Sequence, residues 1–391
     1  KRHEIKAKVV YDTIARGVFN ANVAKWKTIL LDVYASLPNK DNISSESFCI
    51  EVDKYLHPEK FHLQKQCFFE LCDEFLQKRK LSQVRQANFR VLFRVLRRFE
   101  MWRQTKEDGY ILDIDTVTLD DLYILDNYMR NEHVIVLSQP QMYKQIPESR
   151  KPNPRGSNTI SGMMKKLRTI FIWAVDNEKT TNNPFKKYTI DDCVYGTPFY
   201  ISIEERNKVY HTNLSRHPKL SIQRDIFVFQ CLIGCRVGDL YTLTKDNLIR
   251  GAIEYIPRKS KDGRPITVRV PLNSIANEIL ERYSDYEGPS LLPLISEQKY
   301  NQAIKRIFLA AGLKRKVTIL NPLNRQPEQK PLYQVASSHM ARRTFIGNLY
   351  KQVKDPNLVG SLSGHTEGSK AFARYRDIDE EMKTDLVKLL E

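Results

Sequence analysis

Residues 184–200, PFKKYTIDDCVYGTPFY, show neither the 3.6-residue period of an amphipathic helix nor the alternation of a strand. Long periodic stretches lie on both sides. A chain of 391 residues is more than one core usually serves, so a break of this kind predicts separate domains joined by a linker. The reading is an N-terminal helical extension or accessory segment at 1–57, a helical domain at 58–183, the linker at 184–200 and a second domain at 201–391.

The first domain is read from its periodicity. CFFELCDEFLQKRK and QVRQANFRVLFRVLRRFEMWRQ repeat apolar residues every three or four positions, with Val84, Val91, Val95, Phe99 and Trp102 as the expected inward face. Arg85, Arg90, Arg94, Arg97, Arg98 and Arg103 then occupy the remaining surface. Such a face is either simply solvated or placed to meet phosphates. Thr118 is an expected helix cap, with Asp120 and Asp121 at the positive end of that helix. QPQMYKQIPESRKPNPRGS is expected to be a loop. SGMMKKLRTIFIWAVDNEK follows as another helix, its Phe171 and Trp173 expected in the core. Before all of this, KRHEIKAKVVYDTIARGVF is basic and amphipathic, with Val9, Val10, Ile14 and Phe19 on one side and Gly17 as an expected stop. It fits a DNA-binding tail and a packed helical extension equally well.

Charge narrows the partners. Lys and Arg total 63 against 46 Asp and Glu, a net +17, which points to a polyanion, nucleic acid first among them. No run of about 18 apolar residues offers a membrane span, and no apolar secretory segment opens the chain. The first residue is Lys, as expected of a fragment. The six cysteines form no C-x-x-C pair, so neither a zinc site nor a disulfide framework is expected, in keeping with a reducing cytoplasm.

The second domain should open at Ile201, where Ser202 and Glu205 form a capping box. Helical segments run to about Leu248. IEYIP and ITVRVPL then alternate as strands around the turn dipeptide Asp262-Gly263. Helices resume from Leu272, with an irregular insertion expected at 316–334. Within this domain lie Gly234-Cys235-Arg236-Val237-Gly238-Asp239-Leu240, His339-Met340-Ala341-Arg342, Leu362-Ser363-Gly364-His365 and Tyr375. Guanidinium planes clamp phosphate oxygens, imidazoles and an ammonium move protons, and a phenol can attack phosphorus. Gly234 would let the backbone turn and aim Arg236 inward, with Asp239 behind it. His339 and Arg342 would share the positive end of one helix, with Ser337 or Ser338 as its cap.

These strings, in this order, resemble the tyrosine recombinases, the site-specific DNA integrases. The resemblance is specific over about 200–380, looser over 58–183 and absent before that. It implies a mainly α, multidomain chain, in which a helical core-type DNA-binding domain precedes an α+β catalytic domain with a small antiparallel sheet. It implies catalytic roles for Arg236, Lys261, His339, Arg342, His365 and Tyr375. Lys259 rivals Lys261 as general acid, and Arg343 is the neighbour that Arg342 is preferred to on spacing. Two departures stand out. Ser363 interrupts the family's L-G-H, and Tyr375 lies ten residues after His365 where the family usually has nine.

The chemistry so implied is strand cleavage through a 3′-phosphotyrosyl bond, with neither metal nor nucleotide cofactor. The expected partners are duplex recombination sites, further copies of the chain in a tetrameric synapse, and host or element-encoded DNA-bending proteins. Integration or excision of a mobile element is the expected setting. A type IB topoisomerase shares the chemistry and differs in acting as a monomer. The tail RDIDEEMKTDLVKLLE carries an apolar stripe (Ile378, Met382, Leu386, Leu389, Leu390), expected as a short helix handed to a neighbouring protomer.

Overall fold

The computed structural model describes residues 13–37, 43–57, 67–148, 150–258, 265–365, 387, 388 and 390. It divides into two compact units, 1–192 and 193–391. Each has its own apolar cluster, and no helix among the described residues is long and apolar enough to cross a membrane.

In the first unit, α1 (Thr13–Ser36) and α2 (Ser45–Leu56) precede α3 (Phe68–Lys78), α4 (Gln83–Gln104), α5 (Leu119–Ser138), α6 (Gln141–Gln145) and α7 (Ser157–Asp176). Helix α1 runs straight through Gly17, where a stop was expected. A glycine in a helix interior costs only about 1 kcal/mol. Ile14 and Phe19 are exposed rather than core-facing; Val9 and Val10 lie outside the described residues. Thr118 does cap α5, since its Oγ1 accepts the Asp121 N–H while the Asp121 carboxylate accepts the Thr118 N–H at 2.9 Å. Phe171 and Trp173 are buried. The linker's first half belongs to this unit: Phe185, on a short 3-10 turn, and Tyr188 pack in its cluster.

Helix α4 is phased only partly as expected. Val95 and Phe99 are buried, but Val84 and Val91 are exposed, and Phe89, Leu92, Phe93 and Leu96 are buried in their place. A helix apolar over much of its circumference can be turned either way, and the larger side chains win the interior because they bury more area. The turn also carries Arg98 inside. It is 0 % exposed and held by Glu132 at 2.8 Å and Glu148 at 3.2 Å, so it has no surface to offer a phosphate. Arg94 is gripped by Glu148 through two hydrogen bonds, at 3.0 and 2.9 Å. Arg103 is divided between Asp121 and Glu107. A buried arginine needs such partners because an unpaired buried charge costs several kcal/mol.

Burial alone would raise the Glu148 carboxyl, but the hydrogen bonds from Arg94 and the charge of Arg98 outweigh it and hold it below the ordinary range. A depressed carboxyl contributes stability above its unfolded value and loses it as pH falls through the folded one. Glu148→Gln is therefore expected to cost about 1–3 kcal/mol at pH 7. In thermal melts the gap to wild type should shrink once pH drops below the ordinary carboxyl value of 4.5. A gap that persists into stronger acid would contradict this role.

The second unit opens on the capping box of α8 (Ile203–Tyr210): Ser202 Oγ accepts the Glu205 N–H, and the Glu205 carboxylate accepts the Ser202 N–H, both at 3.1 Å. Then come α9 (Pro218–Ile233), α10 (Val237–Leu240), β1 (Leu248–Ile249), β2 (Ala252–Tyr255), β3 (Val268–Pro271), α11 (Ser274–Arg282) and α12 (Glu297–Ala310). The strands form an antiparallel sheet in the order β1-β2-β3, with Ala252 opposite Pro271 and Tyr255 opposite Val268. The turn with Asp262-Gly263 lies outside the described residues.

The insertion expected to be irregular is a hairpin. β4 (Lys316–Leu320) pairs antiparallel with β5 (Pro327–Pro331). Prolines at both ends of β5 hide its strand character, yet an edge strand tolerates them because it has donors to spare on its open side. After it come α13 (Leu332–Val335), α14 (Ser338–Val353) and α15 (Pro356–Ser363). Helices α9 and α14 pack against each other in the centre of this unit.

Candidate active site

Four segments of the second unit converge. The first is the corner after α9, where Gly234 takes φ +66° and caps the helix. A Cβ on it would stand 2.2 Å from the Phe345 ring of α14. Glycine is thus demanded twice, by the left-handed backbone and by the close passage of α14. The corner leads into Arg236, whose side chain is 29 % exposed and whose Nη1 lies 3.9 Å from Asp239 Oδ2. Asp239 is buried, and its Oδ1 accepts the Arg258 backbone N–H at 2.9 Å. That carboxylate joins the Arg236 corner to the second segment, the end of the β2–β3 hairpin. Lys259 and Lys261, further along that connection, lie outside the described residues.

The hairpin also brings Tyr255. Its phenol lies close enough to Cys235, Arg342, Asp239 and Arg236 to feel their charges, and burial pushes its pKa up, so it stays neutral. The same burial raises the Cys235 thiol and keeps it from acting as a thiolate.

The third segment is the start of α14. Ser337 occupies the cap position without a side-chain capping bond; Asn301 of α12 accepts the Ser338 N–H at 2.8 Å instead. His339 is exposed, whereas Arg342, one turn on, is 2 % exposed. Arg342 Nη1 donates to the Gly234 carbonyl at 2.9 Å, and Nη2 lies 3.1 and 3.3 Å from the two ring nitrogens of His365. Arg343, the neighbour on the same turn, points elsewhere, with its guanidinium 5.6 Å from the Phe199 ring. Of the two, Arg342 is the one bonded to the Gly234 carbonyl and set against His365.

The fourth segment is the end of α15. Gly364 takes φ +65°, and a Cβ there would press on Val268 and Pro257 of the hairpin at 3.0 and 3.1 Å. His365 follows, its N–H donating to the Gly360 carbonyl at 3.0 Å. Tyr375 and the tail stripe up to Leu386 lie outside the described residues, as does Leu389. The structure thus brings Arg236, Arg342 and His365 into one neighbourhood with His339 at its rim, and says nothing of Lys261 or Tyr375.

Sequence reasoning missed several groups around these. Ser363 is fully buried, with Oγ 2.9 Å from His365 Nδ1. The chain entering the unit is fastened along α14: Ile201 N–H donates to Thr344 Oγ1 at 3.3 Å and the Ile201 carbonyl accepts from Asn348 at 3.0 Å. Gly347 passes under the Tyr200 ring, which a Cβ would meet at 2.7 Å. Arg315, just before β4, donates to the Tyr200 carbonyl at 2.7 Å and to Glu205. The only signal for any of these was the position of Ser363 beside Gly364-His365.

Among the arginines expected to meet DNA, Arg85, Arg90 and Arg97 are exposed, although Arg97 lies 4.2 Å over the Phe69 ring. Arg90 shares a surface groove with Arg79 and Lys80.

Comparison with known proteins agrees with this arrangement. The profile of the Phage integrase family matches residues 204–382, and that of the Phage integrase SAM-like domain matches 67–190. No curated protein matches the chain. Among solved structures, a lambda integrase dimer bound to a COC′ core site superposes with a TM-score of 0.54 at 15 % identity, covering 80 % of this chain and 96 % of that one. The Tn1549 transposon integrase in complex with circular intermediate DNA gives 0.52 at 14 %, covering 81 % and 98 %. A lambda integrase tetramer bound to a Holliday junction gives 0.52 at 13 %, covering 86 % and 87 %. At such identities the superpositions speak for the fold. Two family profiles, one over most of each unit, make this chain a member of the phage integrase family, the tyrosine site-specific DNA recombinases of mobile elements.

Proposed function

We propose that the chain cleaves and rejoins recombination sites with Tyr375 as nucleophile, leaving a 3′-phosphotyrosyl bond and a 5′-hydroxyl. The observation that carries this is the buried contact of Arg342 with His365 beside the Arg236 corner. Two guanidiniums there can stabilise the extra charge of a pentavalent phosphorane, and such preorganised electrostatics supplies several kcal/mol. His339 and His365 contact the phosphate and move protons. Because the ester energy is retained in the phosphotyrosyl bond, the 5′-hydroxyl of a second strand can reverse the step and exchange strands. Incubation with a nicked suicide substrate tests this, since loss of the short fragment traps the covalent adduct.

Lys261 is the proposed general acid for the leaving 5′-oxygen. Lys261→Ala should slow cleavage roughly 100-fold, and a 5′-thio leaving group, which needs no proton, should restore the rate. Rescue seen with Lys259→Ala and not with Lys261→Ala would transfer the role to Lys259.

In the first unit, Arg85, Arg90 and Arg97 are the proposed phosphate contacts on α4, and Arg94 and Arg98 are removed from that set by their carboxylates. The lambda and Tn1549 integrases are seen on DNA, in one case as a tetramer on a Holliday junction. By that likeness this chain acts as a multimer on paired sites, in a tetrameric synapse in the cytoplasm, with accessory DNA-bending proteins as further partners.

A further inference from the structure

Ser363 stands in α15 where the family's signature has no serine, and its surroundings give its hydroxyl a defined task. The side chain is 0 % exposed. Its Oγ lies 2.8 Å from the Val359 carbonyl and 3.3 Å from the Gly360 carbonyl, one turn back along the helix. It also lies 2.9 Å from His365 Nδ1. A hydroxyl has one proton to give and two lone pairs to offer. Both carbonyls can only accept, and the nearer, at 2.8 Å, is placed to take the proton, a common bond for serine within a helix. The lone pairs of Oγ then face Nδ1, and the bond closes only if Nδ1 carries the ring proton. In a neutral imidazole that leaves Nε2 as the acceptor, 3.3 Å from Arg342 Nη2. The 3.1 Å approach of the same Nη2 to Nδ1 is then a contact between two donors. An atom so nearly equidistant from the two nitrogens of one ring lies over the imidazole face, out of the plane of either lone pair.

We propose that Ser363 is a positioning residue for His365, fixing its ring orientation beneath the Arg342 guanidinium and its Nδ1–H tautomer, which leaves Nε2 as the ring's acceptor toward the phosphate site. This deepens the recombinase reading and rests on it, because it takes His365 to be a phosphate ligand. Backbone bonds support the arrangement: the His365 N–H donates to the Gly360 carbonyl, and the left-handed Gly364 turns the chain back over the helix end. With the ring held at two points, His365 meets the phosphate without first losing rotamer freedom. In Ser363→Ala the ring keeps the backbone bond and loses the side-chain one, so both its tautomer and its angle relax.

Two measurements on the full chain test this. In the first, nitrogen-15-labelled histidine is followed by NMR, and the His365 signal is assigned by its disappearance in His365→Gln. Wild type should show a neutral ring protonated at Nδ1, and Ser363→Ala should shift it toward the Nε2–H form. Wild type already in the Nε2–H form would overturn the proposal, and this reading needs no variant of Ser363 to fold. The second is single-turnover cleavage of the suicide substrate. Ser363→Ala should be about 10-fold slower at unchanged DNA affinity, Ser363→Thr should recover most of the rate, and Ser363→Ala should cost nothing further in a His365→Ala background. Independent, additive losses in the double variant would overturn the proposal. If His365→Ala alone cleaves at the wild-type rate, the phosphate role of His365 fails instead, a result distinct from additivity.

Discussion

Tyr375→Phe is expected to bind its DNA site as tightly as wild type and to form no covalent adduct at all. Phenylalanine keeps the ring and its packing and removes only the oxygen that would attack phosphorus, so the loss should be complete. In wild type the adduct should form and persist in the presence of chelator, because Arg236 and Arg342 are the proposed source of the positive charge that the transition state calls for. Denaturing gels of the trapped suicide-substrate complex read both results. Tyr255→Phe is the informative control. Tyr255 is the phenol that the structure places beside the arginines, yet burial raises its pKa and holds it neutral, so the adduct should survive that change. An adduct that survives in Tyr375→Phe and vanishes in Tyr255→Phe would reassign the nucleophile.

The second large effect is structural. Gly234→Ala must place a methyl 2.2 Å from the Phe345 ring and hold alanine at φ +66°. Overpacking costs about 1–3 kcal/mol and a left-handed alanine about 1–2 more. For a unit of this size each kcal/mol lowers Tm by about 2–4 °C, so a drop of roughly 10 °C is expected. Cleavage should fall with it, because the Gly234 carbonyl accepts from Arg342 and the corner aims Arg236. Combining it with Phe345→Leu should return part of the stability, by removing the clash while the backbone strain stays. A Gly234→Ala protein that melts like wild type would show that α14 can yield.

The catalytic strings were legible because each is local. G-C-R-V-G-D-L and H-M-A-R need only a few residues of spacing to be recognised. The Phage integrase profile, over 204–382, then covers both stretches. What escaped depends on residues far apart in the chain. Nothing near Gly234 announces Phe345, 111 positions later, and nothing near Arg98 announces Glu132 or Glu148. Helix α4 was mis-phased at Val84 and Val91 for a related reason. Periodicity says that one face is buried, and the competition between Val91 and Phe93 for the interior is decided by neighbours on other helices. Ser363 shows the remaining limit: a letter out of place in a motif can be noticed, but whether its hydroxyl meets a ring nitrogen depends on the last turn of α15.

The fastening of residues 199–201 to α14 has a mechanical consequence. A tether that ends in loose coil absorbs a pull by straightening. This one ends against Thr344, Gly347, Asn348 and, through the Tyr200 carbonyl, Arg315. Thr344 is two residues from Arg342 on the same helix, so the position of Ile201 and that of the guanidinium are set together. The point where the chain enters this unit is therefore a fixed anchorage on the arginine-bearing helix, held by four contacts that have no part in the chemistry.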